Sequence, residues 1–221
     1  MLLACPMLST KASSPTISDW KNLTKLICYQ WTNSMVVINY SKSAQNKIEL
    51  FIDASWSLYE DSKGQTGGLI KIYGNTIMFR STKQSIVTLS STESEIVGVS
   101  DFLTYGIWLS RFVTELGIDI QVPISVYQDN ISGVKIMNKQ HGNFKRTKHF
   151  INKYEWIKQH VDSGIIKFIY LPTQHMLADV FTKPIIGYLY YVLLFHICTC
   201  YDISTDLLEI LSKSKPGFSE N

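Results

Sequence analysis

Cysteine is scarce in this sequence and poorly placed for its structural uses. Cys5, Cys28, Cys198 and Cys200 include no Cys-x-x-Cys pair, and no histidine stands at zinc-ligand spacing. A zinc module is therefore excluded, and free thiols in an intracellular chain are expected rather than a disulfide framework. The opening "MLLACPMLSTKASSP" lacks the basic start and long apolar run of a signal peptide, so no secretion is expected. A strong excess of one charge is also missing. The balance of 21 Lys and Arg against 18 Asp and Glu permits a nucleic-acid partner without demanding one. One stretch, "IIGYLYYVLLFHICTCY" from Ile185 to Tyr201, has no Lys, Arg, Asp or Glu at all. It sits at the lower edge of membrane-spanning length and contains His196, so a packed or irregular tail is expected and no membrane partner. No internal repeat is visible.

What is present suits one domain with appendages: 221 residues, 45% of them hydrophobic. Residues 1–17, rich in Ser, Thr and Pro, are expected to be disordered. From Ser18, Trp20, Leu23, Ile27 and Trp31 recur at helical spacing, with Ser18 or Asp19 available as a cap. "MVVINY" and "KIELFIDASW" alternate as two strands, the second carrying Glu49, Phe51 and Asp53 on one face and Ile48, Leu50 and Ile52 on the other. "TGGLIKIY" and "TIMFRSTK" follow as strands joined by a tight turn at Gly74-Asn75. A long helix from Ser91 to Leu116 ends at Gly117. A strand over 123–128, a short helix from Asn130, a basic loop, a helix over 147–163, the strand "IIKFIYLP" and a short helix around 175–182 complete the order. Hairpins followed by strands alternating with helices imply an α/β fold, a mixed sheet with helices packed on it.

Four carboxylates stand where an apolar pattern should continue or an element should end. Asp53 lies inside an apolar strand, Asp129 closes the strand "SVYQDN", and Asp179 sits in "LADVFT". On the long helix, Glu95 shares its face with Val99, Phe102, Gly106, Leu109 and Val113 and so points toward the sheet. Glu93 lies on a more polar face, where Ser90-x-x-Glu93 reads as a capping box. A carboxylate on a packing face must be paired, protonated or metal-bound. Each acid alone is also an ordinary cap or loop residue, and spacing does not by itself show that the four converge. If they do, hard divalent cations are the matching ligands. Residues 135–160 add seven Lys or Arg against the single acid Glu155, densest at Lys145, Arg146, Lys148 and His149. This is either a solvated basic face or a phosphate-neutralising patch.

The run "STKQSIVTLSSTESEIVGVSDFLTYGIWLSRFVTELG", with "DASW", "YQDN", "RTKHF" and "YLPTQHMLADVFTKP", resembles the ribonuclease H domain of copia-type LTR retrotransposon Pol polyproteins. The preceding "DWKNLTKLICYQWTNSMVVINY" is similar to the segment joining reverse transcriptase to that domain. The resemblance implies a ribonuclease H-like fold, a five-stranded mixed sheet flanked by helices, over 48–184. It also implies a remnant of the reverse transcriptase connection (helix and strand) over 18–47 and an atypical hydrophobic, then polar, tail over 185–221. It implies hydrolysis of the RNA strand of RNA:DNA hybrids with two Mg²⁺ or Mn²⁺ ions held by Asp53, Glu95, Asp129 and Asp179. Nucleic acid would be bound through Lys145, Arg146, Lys148 and His149. The expected partners are the hybrid and the reverse transcriptase portion of the same polyprotein, in a cytoplasmic particle or the nucleus. His175 is expected to be a surface histidine. Two other readings stay open: a catalytically silent remnant that binds nucleic acid, and a DDE-type nuclease on the same fold.

Overall fold

A computed structural model of the chain describes residues 3–32, 37–41, 46–138 and 148–199. Its centre is a five-stranded sheet in the order β3-β2-β1-β4-β5. The strands are β1 (Lys47–Ser55), β2 (Lys63–Ile72), β3 (Asn75–Val87), β4 (Gln121–Gln128) and β5 (Ile166–Tyr170). The first three pair antiparallel, and β4 and β5 add parallel to β1. This is the mixed sheet expected from hairpins followed by strand–helix alternation. The hairpin turn is Tyr73-Gly74, one residue earlier than read from sequence: both residues have positive φ, and Ile72 pairs with Asn75.

The period-2 alternation of β1 divides the molecule. Ile48, Leu50 and Ile52 pack with Ile96, Val99, Phe102 and Leu103 of helix α3 (Ser91–Glu115) and with Phe150, Tyr154 and Ile157 of α5 (Lys148–Asp162). Phe51 faces the other way, with Leu69 of β2, the 3-10 segment Leu177–Phe181, and Leu193 and Ile197 of the C-terminal helix. Helix α4 (Ile131–Asn138) starts at Asn130, whose side chain accepts from the Gly133 N–H at 3.0 Å. The C-terminal helix, Tyr188–Cys198, is α6, after α1 (Ala4–Ser9) and α2 (Ile17–Thr32) at the N-terminus.

The charge-free tail is thus partly the cover of the sheet's second face. Lys71 on β2, only 2% exposed, donates from Nζ to the carbonyls of His196 and Thr199 at the end of α6. A cation there suits the partial negative charge of a helix C-terminus. No described helix is long and apolar enough to cross a membrane. Residues 200–221 lie outside the described residues.

Three local readings are corrected. Residues 1–17 contain helix α1, and Lys11 pairs with Glu60 at 2.8 Å, so the described part of the N-terminus is ordered onto the domain. Helix α2 is capped by Thr16 with Asp19 reciprocating, rather than by Ser18 or Asp19, and its apolar stripe is solvent-facing: Trp20 and Trp31 are 68% and 85% exposed. Of "MVVINY", Met35 and Val36 lie outside the described residues, and 37–40 form no strand. Both edges of β1 are already taken by β2 and β4. Asn39 and Ser41 instead bond the Cys198 carbonyl and the Asn75 side chain.

Candidate metal centre

Parallel strands of an open sheet gather ligand sites at their carboxyl ends, and β4 ends here beside the last residues of β1. Phe51 on β1 is in register with Tyr127 on β4; two residues farther on, each strand delivers an aspartate, Asp53 and Asp129. Gln128 locks the pair by donating from Nε2 to the Ile52 carbonyl at 2.6 Å. Asp53 is 1% exposed.

The third aspartate comes from the segment after β5. Thr173–His175 and Leu177–Phe181 are both 3-10 turns rather than the expected helix. Buried Met176, Leu177 and Phe181 anchor them on the sheet. Gly67 of β2 makes the close approach possible: a Cβ there would stand 2.7 Å from Phe181 Cβ and from Thr182 Cγ2. The Phe181 carbonyl accepts from Ser81 at 2.6 Å and the Thr182 carbonyl from Ser55 at 2.9 Å. Asp179 is thereby buried beside Asp53. Oxygens of Asp53, Asp129 and Asp179 all lie within 4.8 Å of one another.

Glu95 arrives from α3, on the face the helical period assigned to the sheet, and is 5% exposed. It lies outside the group of three, close enough to feel the charges of Asp53 and Asp129. Among the described residues its Oε2 has no hydrogen-bond partner. Glu93 makes the capping box: its N–H donates to Ser90 Oγ at 3.2 Å, and its carboxylate accepts from the Leu89 N–H at 2.8 Å. The face of α3 assigned as polar is nonetheless covered at its start, since Glu93, Val97 and Ser100 are all buried.

One residue at the centre was not singled out from the sequence. Lys183 places Nζ 2.8 Å from Asp179 Oδ1, 3.3 Å from Asp53 Oδ1 and 3.9 Å from Asp129 Oδ2. Its i,i+4 spacing from Asp179 was the available signal; the other two partners are distant in sequence. Thr182 donates to Asp53 Oδ2 and Thr173 to Asp129 Oδ2, the latter at 2.9 Å.

The electrostatics follow from this crowding. Burial raises the pKa of Asp53, against the Lys183 charge and the Thr182 hydrogen bond. Burial and then the Asp53 charge push Asp179 up to about 7. Burial, reinforced by Asp53 and Asp129, holds Glu95 well above the ordinary glutamate value. An all-oxygen donor set, with an orphaned buried carboxylate oxygen beside it, fits a hard divalent cation.

Lys145 and Arg146 of the expected basic patch lie outside the described residues, and of Lys148 and His149 only the backbone, in the first turn of α5, is described. His175 is half-buried in the turn before the last aspartate, with Gln174 beside its ring.

Comparison with known proteins settles the lineage. The chain is 30% identical over 179 residues to the retrovirus-related Pol polyprotein from transposon RE2 of Arabidopsis thaliana, covering 80% of this chain and 12% of that protein. It is 34% identical over 126 residues to the Pol polyprotein from transposon TNT 1-94 of Nicotiana tabacum, covering 57% of this chain and 9% of that protein. The chain is a copia-type Pol segment. It thus spans about an eighth or less of the length of these two polyproteins. This copia-type segment is also 31% identical over 108 residues to secreted RxLR effector protein 161 of Plasmopara viticola, covering 48% of this chain and 76% of that protein. No family model matches it. Among solved structures, the copia-type segment is similar to LC11-RNase H1, isolated from compost: 18% identity, 62% of this chain and 93% of that chain, TM-score 0.48. A second structure of that enzyme, in complex with an RNA/DNA hybrid, gives 18% identity over 61% of this chain and 93% of that chain, with a TM-score of 0.45. The sheet order and its mixed register are the five-stranded mixed arrangement expected from the sequence resemblance.

Proposed function

We propose that this copia-type segment hydrolyses the RNA strand of RNA:DNA hybrids at the centre formed by Asp53, Glu95, Asp129 and Asp179. The observation that carries the reading is the convergence of three aspartates from β1, β4 and the last 3-10 turn within 4.8 Å. In this reading residues 48–184 are the ribonuclease H-like domain, and 18–47 are the end of the connection to reverse transcriptase.

Two Mg²⁺ or Mn²⁺ ions, when bound, would supply activation of the attacking water and neutralisation of the leaving oxygen. Asp53, near the end of β1, and Asp129, just past the end of β4, would hold these ions. Glu95 would hold one and help orient the hybrid, and Asp179 would complete the second position. Water attacks the phosphorus, the bond to the 3′ oxygen breaks, and the products carry a 5′-phosphate and a 3′-hydroxyl. Burial of Asp53, Glu95 and Asp179 makes the centre a place where uncompensated negative charge is costly, so cation affinity is built into the fold. Lys145, Arg146, Lys148 and His149 would bind phosphates without regard to sequence, and duplex shape with the 2′-hydroxyl would select the hybrid. Assembly with the reverse transcriptase portion, inside a cytoplasmic particle or the nucleus, belongs to the same proposal.

The test is Asp129→Asn. It removes one ligand charge from a side chain that is 13% exposed, so the fold should tolerate it. RNA cleavage in a hybrid should fall by more than about 100-fold, with hybrid binding retained or improved. An unchanged cleavage rate would overturn the assignment.

A further inference from the structure

We propose that Lys183 is a built-in counter-ion: its ammonium occupies the cation site when no metal is bound and swings out as metal enters, so that it sets the centre's metal affinity. The proposal rests on the metal reading above and concerns a residue that reading does not use. Three observations support it. The Lys183 Nζ lies 2.8, 3.3 and 3.9 Å from oxygens of the same three aspartates whose oxygens lie within 4.8 Å of one another. A dication among those oxygens would face a like charge at contact distance, so ammonium and metal compete for one place.

The side chain also has somewhere to go. It is 38% exposed while Asp53 and Asp179 are 1% and 4% exposed, so it enters the cluster from the solvent side on a flexible four-carbon stem. Finally, its backbone is fixed. The Lys183 N–H donates to the Asp179 carbonyl at 2.8 Å, and Pro184 follows, which restricts the chain there. Exchange therefore needs side-chain rotation and no movement of the segment holding Asp179. Without such a cation, the metal-free fold would gather three carboxylates with only Thr173 and Thr182 hydroxyls as described side-chain donors to Asp53 and Asp129. The outward position would leave the ammonium at the mouth of the site, where a substrate phosphate would approach.

The experiment uses the unmodified chain without nucleic acid. An amine-acylating reagent is applied while Mn²⁺ is titrated, and acylation of Lys183 is followed by mass spectrometry. The exposed Lys21 and Lys25 serve as references, and Mn²⁺ binding is measured separately by calorimetry. Lys183 should be protected without the ion and become several-fold more reactive as Mn²⁺ saturates, with the same midpoint as the calorimetric titration. In parallel, Lys183→Met, checked for folding by circular dichroism, should bind Mn²⁺ roughly fivefold or more tightly, the size expected when a competing interaction is removed. Mn²⁺ binding with no change in Lys183 reactivity would overturn the counter-ion proposal and leave the metal reading standing. Unchanged affinity in a folded Lys183→Met chain would do the same, and absence of any Mn²⁺ binding would overturn both.

Discussion

At the residue scale, the two glutamates of "TESEI" show how far side-chain chemistry could be read ahead of structure. The helical period separates them: Glu95 points into the site, its Oε2 unpartnered among the described residues, and Glu93 caps its helix. Glu95→Gln should therefore cost little metal-free stability, because burial and the neighbouring Asp53 and Asp129 make the charge it removes an unfavourable one. Cleavage should fall by at least the about 10–100-fold seen when only a ligand's supporting partner is lost. Glu93→Gln should cost about 1 kcal/mol or less of stability with little effect on rate per folded molecule. Parallel urea melts and cleavage rates would reveal a reversed ranking.

Asp179 gives the pH dependence. Its carboxyl is raised to about 7 in the folded chain, first by burial and then by Asp53, so between about pH 4 and about pH 7 the folded state holds a proton that the unfolded chain releases. This contribution to stability is present below about pH 4 and is lost as pH rises through about 7. In the presence of a chelator, wild type should lose urea resistance over that window relative to Asp179→Asn, and saturating Mg²⁺ should shrink the difference. A wild-type curve parallel to the variant's would contradict the electrostatic account. Lys183 was not legible at this scale, because two of its three carboxylate partners lie 130 and 54 residues away.

At the scale of elements, the strands and long helices followed from period and punctuation, while the corrected pieces are those decided by neighbours. Val37 to Tyr40 has strand chemistry and no free edge beside β1. The stretch after β5 has helical periodicity and forms 3-10 turns, with the sheet pressed against it at Gly67. Gly67→Ala should push this segment outward, costing about 1–3 kcal/mol and lowering cleavage per folded molecule, because Asp179 and Thr182 ride on it. Gly117→Ala is the contrasting case. Gly117 has φ +76° and open space around its Cβ position, so about 1–2 kcal/mol of backbone strain should appear with no change in rate. Equal effects of the two substitutions on rate would contradict the claim that Gly67 positions the site.

At the scale of the whole molecule, the fold class and three of the four acids' meeting place were legible because local motifs named the lineage and strand alternation set the faces. The role of the tail was not. "YLYYVLLFHIC" has no polar face to announce a packing direction, and only the assembled sheet shows that Leu193 and Ile197 cover Phe51 and Leu69. In the proposed function this assembly brings its acids together to cut RNA in hybrids. The most direct test is cleavage of an end-labelled RNA:DNA hybrid by the purified chain with Mg²⁺, beside single-stranded RNA, duplex DNA and a chelator control. Mg²⁺-dependent cutting confined to the RNA of the hybrid, with 3′-hydroxyl ends, is the expected result. A folded chain that binds the hybrid and leaves its RNA intact at saturating Mg²⁺ would contradict it.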